Sequence, residues 1–95
     1  MVHSTPARPA DVDAIVGHCV GFVARMLERS PHDIDPNARF SRIGLDSANS
    51  VQLLVSLEEF LNMDLDPNLI VEYPTIASLA AHAVEIVRRS QGAHL

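Results

Sequence analysis

The sequence predicts an all-α fold, a small four-helix bundle with three longer helices and one short helix. Apolar residues recur at helical spacing in three separate segments, and proline or glycine lies between these segments. No segment of useful length alternates with the period of a β-strand. With 95 residues, of which 47% are apolar, the chain suits one folded domain, placed at residues 11–89.

The first helix is predicted from Asp11 to Arg29. Apolar residues recur three and four positions apart in this segment, acidic residues open it, and arginines close it, as the helix dipole favours. The apolar stripe includes the only cysteine, Cys19, for which a core position is favoured. A Ser-Pro pair ends the helix. The preceding residues 1–10 contain two prolines and are predicted to form a flexible N-terminal arm.

Residues 30–46 are predicted to be a long loop, which Phe40 and Ile43 anchor to the core. A second helix is predicted from Ser47 to about Asn62. Its core stripe consists of four leucines at helical spacing, Leu53, Leu54, Leu57 and Leu61.

The last two elements follow an Asp-Leu-Asp-Pro break. Residues 68–73 suit one short helical turn, and Thr75 suits the N-cap of a final helix. That helix is predicted from Ile76 to about Arg89 because its apolar residues keep helical spacing and arginines close it. Residues 90–95 are then a C-terminal tail.

Val51 and Val55 continue a separate line along the second helix, one and two turns after Ser47. They either widen the core face or form an exposed apolar strip beside Ser47 for a partner or ligand. Helical spacing fits both interpretations equally, so the alternatives stay open at this point.

The net charge of −5 lies in one part of the chain. Residues 44–73 contain six acidic residues and no arginine, and all seven basic residues of the chain are arginines outside that stretch. Such an acidic block argues against nucleic acid and against an anionic membrane as partners. It favours basic protein partners that are steered by charge.

Several classes of site lack support in the sequence. A single cysteine excludes an internal disulfide, and the five histidines show no metal-ligand spacing, so no metal site is predicted. No signal peptide or membrane span is apparent, which makes the cytoplasm the expected location. No histidine lies near Ser47 in sequence, the Asp64 and Asp66 pair suits a solvated helix end, and no glycine-rich phosphate loop is present. No catalytic residue is therefore predicted.

The most informative segment is Ile43-Gly44-Leu45-Asp46-Ser47, at a loop-to-helix junction. Asp46 or Ser47 would cap a helix whatever the function, so the segment has a purely structural interpretation. A serine at a helix start also lies on a fixed backbone near unpaired N–H groups and the positive end of the helix dipole. A phosphoryl group attached to it would be stabilised there.

The segment from Phe40 to Ser47, FSRIGLDS, resembles the approach to the prosthetic-group serine of acyl carrier proteins. Glu72-Tyr73-Pro74-Thr75, followed by IASLA, resembles the start of the last helix in carriers of polyketide synthases. The resemblance covers residues 11–89, and the acidic second helix lies where the family has it.

The resemblance implies a non-catalytic carrier with 4′-phosphopantetheine on Ser47, flanked by Asp46 and Leu45. A phosphopantetheinyl transferase would move this group from coenzyme A, and its thiol would hold acyl groups as thioesters. Expected partners are that transferase, a loading enzyme (an acyltransferase or an acyl-adenylate ligase), and a ketosynthase or other biosynthetic enzymes. The expected docking residues, besides Leu45, are Ala48, Val51, Gln52, Val55, Glu58 and Glu59, and the carrier is expected to be a monomer.

Ala48 and Gln52 depart from the family, which usually has leucine or isoleucine and often glutamate at these positions. They favour dedicated partners in polyketide-like or mixed natural-product biosynthesis. A peptidyl carrier of nonribosomal synthesis and a helical adaptor without a prosthetic group are the alternatives. Because the chain opens with Met1 and has short tails, a free-standing protein is expected, with an excised synthase domain as the other possibility.

Overall fold

The computed structural model describes residues 11–92, which form five α-helices. The predicted arm, residues 1–10, lies outside the described residues, as do residues 93–95 of the predicted tail. Three long helices dominate, and the two shorter helices are single turns in the connections; in chain order they are α1 (Val12–Leu27), α2 (Phe40–Ile43), α3 (Ser47–Leu61), α4 (Leu69–Glu72) and α5 (Ile76–Gly92). The all-helical prediction is confirmed, with three long helices.

The helix ends follow from their caps. The Asp11 side chain accepts a hydrogen bond from the Asp13 N–H, so α1 begins one residue later than predicted. Glu28 adopts left-handed backbone (φ 56°) and ends α1 before Arg29. Thr75 is the predicted N-cap of α5, and its hydroxyl accepts from the Ser78 N–H at 3.0 Å. Helix α5 continues three residues past the predicted end at Arg89.

The loop between α1 and α3 contains more structure than predicted. A 3₁₀ turn covers Pro31–Asp33, and the four-residue α2 follows. Apolar periodicity does not predict α2 because four residues are too few to show a helical period. The loop is tied to the start of α5, since the Phe40 N–H donates to the Pro74 carbonyl at 2.9 Å.

The core lies between α1, α3 and α5, with α1 packed against both other long helices. Phe40 and Ile43 are 5% exposed, which confirms them as the anchors of the loop. Cys19 is fully buried, as predicted, and burial raises the pKa of its thiol to about 12. The largest side chains with no exposure are Ile15, Leu53, Leu57, Ile76 and Leu79.

Candidate functional site

A tight turn between α2 and α3 fixes the backbone before Ser47. Gly44 ends α2 with φ of 115°, a conformation that residues with a Cβ rarely adopt. The N–H groups of Gly44 and Leu45 both donate to the Phe40 carbonyl, at 3.2 and 3.0 Å. Leu45 is thereby turned into the core and is 5% exposed. The expectation that Leu45 faces a partner is wrong, because this residue anchors the turn.

Arg29 braces the same turn from the end of α1. Its Nη1 donates to the Ile43 carbonyl at 3.1 Å, one of the last carbonyls of α2. The sequence suggests only a favourable interaction of Arg29 with the dipole of its own helix. A contact across 14 residues leaves no periodic signal in a sequence.

Asp46 is the N-cap of α3, and Ser47 is the first residue of the helix. The Asp46 Oδ1 accepts from the Asn49 N–H at 2.8 Å, and the Asp46 carbonyl accepts from the Ser50 N–H at 2.9 Å. The N–H groups of Ser47 and Ala48 have no acceptor within residues 11–92. Ser47 is exposed. The site therefore presents an accessible hydroxyl, fixed by the cap, at the positive end of a 15-residue helix.

A groove of about 420 Å³ opens beside Ser47, between the start of α3 and α4. Pro67, Ile70 and Val71 form the α4 side of the groove, and Val51 lies on the α3 side. The other lining residues are Arg39, Phe40, Ser41, Leu45, Asp46, Ser47, Ser50 and Pro74. Its volume lies in the range of small-ligand sites. A prosthetic group on Ser47 would have space along this groove, so the residues present fit such a group.

Val51 and Val55 form an exposed strip. Their helical spacing fits both a wider core face and an exposed apolar strip, and the structure shows the exposed strip. Their exposed fractions are 52% and 45%, so they do not widen the core. The expected docking residues Ala48, Gln52 and Glu59 are exposed on the same helix.

Glu58 differs from the other expected docking residues. It is half-buried, and its Oε2 accepts from the Leu65 N–H at 2.7 Å, across the turn that follows α3. This carboxylate is engaged within the fold, which gives Glu58 a structural role, and its expected part in partner docking stays a prediction. The sequence does not indicate the contact because a loop of unknown path separates the two residues.

A second groove, of about 300 Å³, adds α1 to the exposed strip. Phe22 of α1 lines it together with Val51, Gln52, Val55, Ser56 and Glu59 of α3. Helical spacing places Phe22 beside the core, and only the packing of α1 on α3 brings its ring next to the strip. Phe22 is therefore a residue that the sequence alone did not assign to this surface.

His18 joins α1 to α3 near that second groove. Its Nε2 lies 2.8 Å from the Ser56 Oγ, and its ring stacks on Phe60 with centroids 4.3 Å apart. Burial, with a smaller effect from the charge of Arg25, lowers the pKa of His18, while the Ser56 hydrogen bond opposes the shift. The partner of this histidine is Ser56, not Ser47.

Residues 11–92 contain no group of three or more His, Cys, Asp or Glu side chains arranged to hold a metal ion. No helix within the same range has the length and apolar character needed to span a membrane.

Comparisons with known proteins show the family and the fold of this chain. The family model described as the phosphopantetheine attachment site matches residues 20–83. The phenolphthiocerol synthesis polyketide synthase type I Pks15/1 of Mycobacterium marinum is 35% identical over 80 residues, which are 83% of this chain and 4% of that protein. The chain thus spans only a small fraction of this relative.

Two solved structures share the fold. The acyl carrier protein Asl1650 of Anabaena, which has a variant phosphopantetheinylation-site sequence, gives a TM-score of 0.78 at 36% identity, covering 90% of this chain and 97% of that one. A free-standing peptidyl carrier protein of Acinetobacter baumannii gives 0.76 at 31% identity, covering 82% of this chain and 98% of that one.

Proposed function

Because the chain belongs to the acyl carrier protein family, whose members carry 4′-phosphopantetheine on a serine, we propose that Ser47 is the attachment residue. The observation that carries the proposal is the position of Ser47, exposed at the first residue of α3 beside an open groove. Ser50, the next serine along α3, is 5% exposed. An enzyme that modifies a hydroxyl must reach it, and Ser47 offers that access.

The loading step uses the Ser47 hydroxyl as a nucleophile. Its Oγ forms a bond to the phosphorus of coenzyme A that bears the pantetheine, and the bond to the second phosphate breaks. Adenosine 3′,5′-bisphosphate leaves, and the hydroxyl proton passes to a base of the transferase. The unpaired N–H groups of Ser47 and Ala48 and the dipole of α3 stabilise the resulting phosphodiester. When bound, the group supplies the thiol that holds an acyl chain as a thioester.

The cargo proposed is an acyl intermediate of polyketide-like or mixed natural-product biosynthesis. Similarity to a polyketide synthase over 83% of this chain supports it. The second candidate is an aminoacyl or peptidyl cargo, which the likeness to a peptidyl carrier at 31% identity favours. Loading the holo-protein with acyl-adenylate ligases and with amino-acid-adenylating enzymes, followed by intact mass measurement, distinguishes the two.

Partner enzymes are proposed to dock on the exposed strip of α3. Val51 and Val55 supply apolar contact, and Glu59 supplies negative charge at the edge of the groove of about 300 Å³ beside the strip. Apolar contact flanked by charge suits brief association with the transferase, the acyl-loading enzyme and a ketosynthase, because charge raises the on-rate without tight binding. The carrier would act in these encounters as a monomer.

The test of the attachment site is the intact mass after incubation with coenzyme A and a broad-specificity transferase. A gain of one phosphopantetheine is expected for the wild type and for Ser41→Ala, a control serine in the same groove. Ser47→Ala is expected to gain nothing. A helical adaptor without a prosthetic group would show no gain in any variant, and a gain in Ser47→Ala would refute the assignment of Ser47.

A further inference from the structure

The groove of about 300 Å³ between α1 and α3 offers carbon surfaces that the core does not use. Phe22 of α1 and the strip formed by Val51 and Val55 line it; the phenylalanine is half-buried, and the valines are 52% and 45% exposed. The Ser56 hydroxyl in the lining lies 2.8 Å from the His18 Nε2, so it already has a partner within the fold. The groove therefore suits an apolar side chain of another protein better than a polar ligand.

The two sides of this groove carry opposite charges. Glu59 lines it on the α3 side. On the α1 side, Arg25 follows Phe22 by three positions on the same helix face. Its Nη1 lies 3.6 Å from the position that a Cβ on Gly21 would take, so the guanidinium extends back along α1 to the level of Phe22. Both charged side chains are exposed, and neither forms an ion pair within residues 11–92.

This pair of charges defines the partner more closely than the acidic block of the chain does. A partner surface with basic residues alone would be attracted by Glu59 and repelled by Arg25. The complementary surface has an apolar side chain between one basic and one acidic side chain, and it fits the groove in one orientation. Val51 lines this groove and also the groove beside Ser47, so a partner seated here lies next to the reactive hydroxyl.

Resting on the proposed attachment to Ser47, we propose that the phosphopantetheinyl transferase seats a surface segment of this kind between α1 and α3. Its apolar side chain contacts Phe22 and the strip. A basic side chain of the segment meets Glu59, and an acidic one meets Arg25. The transferase is the occupant because, among the partners proposed, it is the one that the modification of Ser47 itself requires. Phe22 and Arg25 are then specificity-determining contacts that α1 adds to the docking surface of α3.

The first experiment reverses the charges and measures kcat/KM for transfer from coenzyme A by a broad-specificity transferase at low salt. Arg25→Glu makes the carrier more acidic, yet we expect kcat/KM to fall about fivefold because the acidic side chain of the transferase is repelled. The double variant Arg25→Glu/Glu59→Arg keeps the net charge of −5 and should fall about 20-fold, as for two independent losses. The matched control Glu85→Arg/Arg88→Glu reverses an exposed ion pair on α5 at the same net charge and should equal the wild type.

The second experiment removes the aromatic contact. Phe22→Ala should lower kcat/KM about tenfold, as for truncation of an aromatic side chain at the centre of an interface. Ile86→Ala is the control, because Ile86 is also a half-buried apolar residue packed against the core, but on α5. Its kcat/KM should equal that of the wild type. Circular dichroism of each variant at the assay temperature verifies that the protein is folded, and the exposed charge variants test the same groove without altering the core.

Three results would overturn the proposal. An unchanged or raised kcat/KM in Arg25→Glu, or a wild-type value in the double variant, would mean that net charge alone guides the encounter. A wild-type value in folded Phe22→Ala would remove α1 from the interface. A wild type that gains no phosphopantetheine by mass would refute the attachment to Ser47 as well, whereas variants that are loaded at the wild-type rate refute this docking mode alone.

Discussion

Replacing Glu58 by alanine should destabilise the fold, although glutamate on a surface helix is usually replaced without effect. The Glu58 Oε2 accepts from the Leu65 N–H at 2.7 Å, and Leu65 is only 6% exposed. The substitution removes a charge-assisted hydrogen bond and leaves a backbone N–H in a buried residue without an acceptor. Such a loss costs about 2 kcal/mol in the free energy of unfolding.

The assay is urea denaturation followed by circular dichroism at 222 nm, with a thermal scan beside it. We expect Glu58→Ala to lower the urea midpoint with an unchanged slope, since the surface exposed on unfolding stays the same. For a domain of this size, about 2 kcal/mol corresponds to a decrease in Tm of about 10 °C. Glu58→Gln, whose amide oxygen can still accept, should recover part of the loss.

Glu59→Ala is the matched control. Glu59 is the neighbouring residue of the same helix, carries the same charge, and is exposed. Its replacement should change the free energy of unfolding by no more than about 0.5 kcal/mol. Equal stabilities of the Glu58→Ala and Glu59→Ala variants would refute the structural role given to Glu58.

Four other outcomes are expected. Gly44→Ala should lower the free energy of unfolding by about 1–3 kcal/mol in urea denaturation, because φ of 115° strains any residue with a Cβ; an unchanged midpoint would contradict a left-handed backbone at this position. Because the pKa of His18 is lowered in the folded protein, the unfolded chain binds a proton more readily there. The contribution of His18 to the free energy of unfolding is therefore complete above about pH 6.5 and declines as the pH falls below that value. His18→Gln should flatten this decline between pH 8 and 5, and an unaltered pH profile would argue against this role of His18. Cys19, fully buried with a thiol pKa of about 12, should resist maleimide at pH 7.5 in folded apo-protein, so that one equivalent reacts only after loading, as intact mass would show. Glu59→Arg should lower kcat/KM for phosphopantetheinyl transfer about fivefold at low salt and less at high salt, whereas Glu72→Arg, an exposed acid on α4 outside the strip, should have little effect; similar rates for both variants would place docking elsewhere.

The long helices could be predicted from the sequence because each repeats its apolar pattern over several turns. The four leucines of α3 are 0–9% exposed, as their spacing predicts. The N-cap at Thr75 could also be predicted from the sequence, since a capping side chain accepts a hydrogen bond from an N–H within the next turn. Local interactions of this kind leave a signal in consecutive residues.

The parts that could not be predicted depend on contacts between distant residues. Arg29 bonds to a carbonyl 14 positions away, and Glu58 bonds to an N–H across a turn. Leu45 lies two residues before an exposed serine, yet Gly44 turns it inward. Whether Val51 faced the core or the solvent required the direction in which α1 and α5 pack on α3, and helical spacing alone does not contain that direction.

The residues before and after Ser47 differ in their contacts. Those before it bond within the fold, whereas those after it on α3 include side chains exposed to solvent. Before Ser47, the left-handed backbone of Gly44 and the hydrogen bond from Arg29 to the Ile43 carbonyl fix the turn through interactions inside the fold. After Ser47, Val51 and Val55 are half-exposed and are not part of the core. Substitutions on the first side should therefore lower the free energy of unfolding, while polar substitutions on the second side should lower kcat/KM for transfer at unchanged stability. A serine on a fixed backbone, beside an exposed strip that makes no core contacts, can serve enzymes of different shapes, because every partner encounters the Ser47 hydroxyl in the same position.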